Sequence, residues 1–135
     1  MALTLWHIKE QCVMSGKYLL DTCALIGLQK QTPESFNLLS QKGVYLSQCA
    51  ISVITYIEFI GFYGVDNETC EQLKYIANQF TQYPLDNPIR DEAIAIRQRY
   101  KIKLPDALIL ATAKTHQLAL LTLDDKLMKY YQLYT

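Results

Sequence analysis

The chain has 135 residues, half of them apolar, and its 13 Lys and Arg are balanced by 13 Asp and Glu. That length predicts one domain able to bury a core without disulfides or a structural metal, and the apolar fraction excludes a disordered chain. Zero net charge excludes a polybasic nucleic-acid coat or an acidic tail, but not a small nucleic-acid site.

Met1 to Gly16 is interrupted by His7, Lys9, Glu10 and Gln11, so it holds no signal-peptide core, and no stretch reaches the ~20 apolar residues of a membrane helix. Tyr18 to Leu20 reads as a buried strand ending in Asp21, followed by a short helix over Cys23 to Lys30. Thr32 as N-cap, Pro33 at the first helical position and Glu34 in the first turn open a helix that Gly43 stops. Val44 to Ile51 reads as a strand.

Ser52 to Phe62 is almost continuously apolar, but eleven residues exceed a typical strand, and Ser52 as N-cap with Gly64 beyond favours a buried helix. Asp66 to Phe80 is a clearer helix, with Cys70, Leu73, Ile76, Ala77 and Phe80 on one face, and Gln82 to Leu85 is a short strand. From Asn87-Pro88 a helix places Ile89, Ala93, Ile96 and Tyr100 in a stripe. Its acids come early and its Arg97, Arg99 and Lys101 late, the order the helix dipole favours. Pro105 begins a helix running to about His116, Leu118 to Leu123 is a strand ending at Asp124, and Lys126 to Tyr131 is a short helix, with Leu133 to Thr135 as an edge strand. Strands alternating with helices predict an α/β sandwich around a mostly parallel sheet.

Cys12, Cys23, Cys49 and Cys70 lie 11, 26 and 21 residues apart, with no Cys-x-x-Cys pair. With only His7 and His116 to complete a ligand set, they read as small buried thiols of a reducing cytoplasm.

Four carboxylates stand out by position. Asp21 and Asp124 end strands, on the edge of a parallel sheet where ligands bind, and Asp106 occupies the first turn of a helix that begins near that edge. Glu58 is a lone charge in an apolar segment, where burial would demand a basic partner or a metal. Taken singly, Asp21 and Asp124 are also explained as helix N-caps, and Asp106 as a first-turn acid complementing the dipole. If the four converge, two unit charges ~5 Å apart at an effective dielectric of ~20 repel by about 3 kcal/mol. The cluster then either shares protons at raised pKa or holds a divalent cation, and an all-oxygen set selects Mg²⁺ or Mn²⁺. Such a cage with sites open to water serves phosphoryl chemistry.

The segments Tyr18-Leu19-Leu20-Asp21-Thr22, Ile51-Ser52-Val53-Ile54-Thr55 leading to Glu58, Leu104-Pro105-Asp106-Ala107 through Ala113, and Leu121-Thr122-Leu123-Asp124, taken together, resemble the PIN-domain nucleases. The closest likeness is to the VapC-type toxins of toxin-antitoxin pairs, and it spans residues 17–135. The resemblance implies a PIN-like three-layer sandwich with four to five strands and a Mg²⁺- or Mn²⁺-dependent endoribonuclease. Asp21, Glu58, Asp106 and Asp124 match the acidic quartet that is both catalytic and metal-binding, while Thr22 and Thr122 fall where a hydroxyl supports the metal site. Asp125 leaves the identity of the fourth acid open, and Leu127 stands where many members carry an aromatic. Residues 1–16 have no counterpart and form an extension, with Met14 as a candidate alternative start.

The resemblance further implies an RNA substrate (tRNA, rRNA or mRNA), a cognate antitoxin protein that blocks the site, and a homodimer, with no membrane involved. The other readings are an RNA-processing nuclease of the same family without an antitoxin, and a domain kept only for protein binding. A phosphoacceptor receiver domain would need an acidic pair after the first strand, and Asp21 is followed by Thr22-Cys23. Arg97, Arg99, Lys101 and Lys103 precede Asp106, and Lys126 follows Asp124; they are either a solvated helix end or contacts for RNA phosphates. Setting the quartet aside leaves 13 basic residues against nine acidic ones, so neutrality is compatible with an acidic pocket in a mildly basic surface.

Overall fold

The computed structural model describes residues 17–134, and the expectations for residues 1–16, with Cys12 and His7 among them, lie outside the described residues. Tyr18–Leu20 forms β1, paired in parallel with β2 (Cys49–Ser52) on one side and β4 (Ala119–Leu121) on the other; β3 (Thr81–Tyr83) lies beyond β2, also parallel. Among the described residues seven α-helices flank this sheet. They are α1 (Thr22–Gln29), α2 (Pro33–Ser40), α3 (Val53–Ile60), α4 (Asn67–Ala77), α5 (Asn87–Arg99), α6 (Leu104–Thr115) and α7 (Asp125–Leu133). None of them is long and apolar enough to cross a membrane.

Alternation along strands of three or four residues makes the layers. Leu20, Ile51 and Leu121 face one side with Leu25 and Leu28 of α1, Phe59 of α3 and Leu73 of α4, whereas Leu19, Ala50 and Leu120 face the other with Ile109 and Ala113 of α6 and Leu127 of α7. Helix α5 packs its Ile89, Ala93 and Ile96 on Ala107, Leu110 and Ala111 of α6. The expected three-layer α/β sandwich with a parallel sheet is therefore the observed one. Short polar side chains start the helices: Thr32, Ser52, Asp66 and Asp86 each accept a backbone N–H of the first turn, which satisfies groups that would otherwise be orphaned.

Several boundaries differ from the sequence reading. The strand expected over Val44 to Ile51 begins only at Cys49, because Leu46–Gln48 forms a 3₁₀ turn in which the Gln48 side chain accepts the Tyr45 N–H at 3.0 Å, removing that amide from a ladder. At β4 the Leu118 N–H is spent on the Ala113 carbonyl at 2.8 Å, and the strand stops at Leu121, before Asp124. Among the described residues the edge strand expected over Leu133 to Thr135 is not formed, since α7 continues through Leu133.

The order β3-β2-β1-β4 means that the chain leaves β1 in one direction along the sheet and later returns to its other side as β4. Where the direction of winding reverses, the connections leave the carboxyl ends of the two strands on opposite sides and open a crevice. Here that switch point lies between β1 and β4, and the Asp21 N–H donates to the Leu121 carbonyl across it at 3.3 Å.

Candidate active site

Asp21 leaves β1 at this crevice and caps α1, its Oδ1 accepting the Ala24 N–H at 2.9 Å. Asp124 likewise caps α7, accepting the N–H groups of Lys126 and Leu127 at 2.9 and 3.2 Å. The capping role and membership of the acid cluster therefore coincide in the same two residues. Asp125 is exposed and begins α7, so Asp124 rather than its neighbour makes the cap. Thr122 joins the two acids: its hydroxyl donates to Asp21 Oδ2 and accepts the Asp124 N–H at 2.9 Å. Leu127, in place of an aromatic, is fully enclosed in the core under α7.

Asp21 is 4% exposed, and burial pushes its carboxyl above the usual range; bonds from Thr122, Ala24 and Cys23 only partly offset this, and the Asp124 charge adds to it. Asp106, in the first turn of α6, is raised first by desolvation and then by the Asp124 charge, with Asp21 and Glu58 contributing and Lys103 opposing. Asp106 thus lies within electrostatic reach of the other three acids.

Glu58 departs from the sequence reading. It is exposed, as is Ile57 at 54%, because α3 is only eight residues long and packs through Thr55, Phe59 and Ile60, leaving the opposite face in solvent. Its partner is a hydroxyl rather than a cation: Thr22 Oγ1 donates to Glu58 Oε1 at 2.7 Å and lies 3.4 Å from Thr55 Oγ1. The cysteines differ too. Cys49 is buried and Cys70 half-buried, but Cys23 is exposed, and its thiol donates to both Asp21 oxygens at 3.1 and 3.3 Å. Desolvation, reinforced by the Asp21 charge, pushes that thiol up to about 11. The sequence signal for Cys23 was its place two residues after Asp21, and that for Thr55 its place three residues before Glu58; neither was singled out as part of a polar network.

Of the basic candidates, Lys103 is the N-cap residue of α6 and acts on Asp106, and Lys126 is exposed beside the Asp124 cap. Lys101 is exposed in the α5–α6 loop. Arg97 donates from Nε to the Ile102 carbonyl at 3.4 Å, and Arg99 lies over the rings of Tyr100 and Tyr134 at 5.6 and 5.7 Å, so both bind within the fold.

Among the described residues no Lys or Arg forms an ion pair with any of the four acids. Nor do three His, Cys, Asp or Glu side chains close on one point as a finished metal cage. The donor chemistry nevertheless fits a hard divalent cation: three aspartates and a glutamate backed by hydroxyls, with the carboxyls of Asp21 and Asp106 pushed up by burial and by neighbouring acids, and Lys103 opposing at Asp106.

A family model described as "PIN domain" matches residues 18–133. Among solved structures, "Toxin-antitoxin complex from Klebsiella pneumoniae" is similar at 35% identity, covering 76% of this chain and 82% of that one, with a TM-score of 0.64. "FitAcB from Neisseria gonorrhoeae" is 24% identical over 85% and 93% of the two chains, TM-score 0.68. "PAE2754 from Pyrobaculum aerophilum" is 22% identical over 87% of each, TM-score 0.60, and these last two likenesses concern the fold. No protein with a curated description matches the sequence.

Proposed function

The chain belongs to the PIN domain family, and from that premise we propose that it is a divalent-metal-dependent endoribonuclease, the toxin of a type II toxin-antitoxin pair. The observation that carries the reading is the coupling of Asp21, Asp106 and Asp124, with Glu58 beside them, at the switch point of a parallel sheet. The antitoxin partner is supported by the 35% identical chain solved as a toxin-antitoxin complex. The working unit is taken as a cytoplasmic homodimer.

Asp21, Asp106 and Asp124 would hold Mg²⁺ or Mn²⁺, with Glu58 completing the set. When bound, such an ion lowers the pKa of a coordinated water and neutralises a scissile phosphate. The chain's own groups prepare that work. Thr122 and the α1 amide hold the Asp21 carboxylate in one orientation, so both oxygens stay fixed in the crevice. Thr22, next to Asp21 in the chain, holds Glu58 by a hydrogen bond, and a carboxylate so held can accept a proton from an attacking water. Lys103 and Lys126 border the acids and offset the repulsion an incoming phosphate would meet, and Lys101 extends that basic edge. RNA (tRNA, rRNA or mRNA) is the substrate class.

End-group analysis of RNA cut by the purified protein tests the proposal. Ends carrying a 5′-phosphate and a 3′-hydroxyl, lost in EDTA and restored by Mn²⁺, are expected. Cyclic phosphate ends that persist in EDTA would overturn it.

A further inference from the structure

Two adjacent tyrosines of α7 reach opposite ends of α6. Tyr130 donates its hydroxyl to the Lys101 carbonyl at 3.0 Å, in the loop that enters α6. Tyr131 donates to the Leu118 carbonyl, also at 3.0 Å, in the segment that leaves it. Successive helical residues point ~100° apart, so one short stretch of α7 can grip both ends of a neighbouring helix. The rings are seated as well: Tyr130 packs against Tyr100 with centroids 5.3 Å apart, and the Lys114 ammonium lies 4.1 Å from the Tyr131 centroid.

The grip bears on the candidate site because of what the two helices carry. Helix α6 bears Asp106 in its first turn, and α7 is capped by Asp124. Apart from Lys114 over the Tyr131 ring, the packing between the helices is apolar, with Ile109 and Ala113 in one core cluster with Leu127. Apolar burial fixes how close two helices approach but is non-directional, so it sets their sliding register only weakly. Hydrogen bonds are directional. The phenol bonds at the two ends of α6 oppose sliding in either direction.

We propose that Tyr130 and Tyr131 are positioning residues that lock α6 against α7 and thereby fix the spacing of Asp106 and Asp124. The inference rests on the reading of those acids as a divalent-metal centre.

The test uses the full chain and the variants Tyr130→Phe, Tyr131→Phe and their double, with fully exposed Tyr63→Phe as control. Phenylalanine keeps each ring and its packing and removes only the hydroxyl. Mn²⁺ affinity is measured by isothermal titration well below the melting temperature, and stability separately by melting in EDTA. Each single variant is expected to weaken Mn²⁺ binding by about tenfold and the double by more, the lower end of the ~10–100-fold loss seen when outer-shell support of a metal site is removed. Tyr63→Phe should leave affinity unchanged. Wild-type affinity in Tyr130→Phe and Tyr131→Phe, whatever happens to their melting, would overturn the proposal. If Tyr131→Phe does not fold, Tyr130→Phe decides. If the wild type takes up no Mn²⁺, the metal-centre reading fails by itself; the positioning role is then judged by the backbone amide resonances of Asp106 and Asp124 in metal-free protein. Those must move in Tyr130→Phe and stay in place in Tyr63→Phe for the role to survive.

Discussion

Thr122 donates its hydroxyl to the buried carboxylate of Asp21, across 101 residues of sequence. The same oxygen accepts the Asp124 N–H, so one hydroxyl connects the caps of two helices whose strands lie side by side. Thr122→Val keeps the shape and removes both bonds, leaving a buried carboxylate short of a donor and an amide short of an acceptor. A loss of about 2 kcal/mol in metal-free stability is expected, the usual scale for a bond to a buried charged group. Thr122→Ser should recover most of it. Denaturant unfolding of the two variants in EDTA checks both.

Asp21 gives the opposite sign. Its pKa is raised in the fold, so the ionised form is the less favourable one there. A group with a raised folded pKa contributes stability that is present below its unfolded value and lost as pH rises through the folded value. Metal-free wild type should therefore lose stability as pH climbs out of the ordinary carboxylate range towards neutrality. Asp21→Asn keeps a good N-cap side chain, and should flatten that fall and melt higher at neutral pH, by roughly 3 °C for about 1 kcal/mol of relief. It should also abolish both the stabilisation conferred by Mn²⁺ and RNA cleavage. Thermal melts across pH with and without Mn²⁺ measure this, and a lower melting temperature for Asp21→Asn at neutral pH would contradict it.

The three aspartates were legible because their local roles leave marks in sequence: an acid after a short apolar run, and an acid after Pro105 at a helix start. Strand ends and first turns are local events, and a parallel sheet gathers its strand ends on one edge. Glu58 was found for a mistaken reason. An apolar run does not say which face of an eight-residue helix meets solvent, and Ile57 and Glu58 share the open one. The link from Thr122 to Asp21 depends on β4 returning beside β1, and periodicity along one segment carries no trace of it. The ends of β2 and β4 were misjudged where a side chain or a helix terminus captured an amide that strand propensity assigns to a ladder.

The exposure of Glu58 separates stability from chemistry. Among the described residues its hydrogen bond is the one accepted from the Thr22 hydroxyl at the surface, so Glu58→Gln should change unfolding free energy by no more than about 0.5 kcal/mol, as for an ordinary surface replacement. Under the proposed function it should nonetheless cut RNA cleavage by at least about 100-fold, the contribution of a positioned acid-base group. Unchanged cleavage rates in Glu58→Gln would remove this residue from the chemistry without touching the roles of the aspartates.

Lys103 is the basic side chain whose charge acts on Asp106, holding that carboxyl lower than its acidic neighbours would leave it. Lys103→Glu therefore has two separable consequences. It adds a fifth negative charge to the cluster, so metal-free protein should become less stable as pH rises towards neutrality, and Mn²⁺ should restore more stability than it does in wild type. It also removes a cation from the edge an RNA backbone must cross. Binding of bulk tRNA, measured in an Asp106→Asn background so that nothing is cut, should weaken, and the slope of log affinity against log salt should fall by about one for each phosphate left without its cation. Lys101→Glu should reproduce the change in salt slope with a smaller effect on metal-free stability, because Lys103 is the lysine with a leading influence on Asp106. Equal salt slopes for wild type and both variants would place the RNA on another face of the domain.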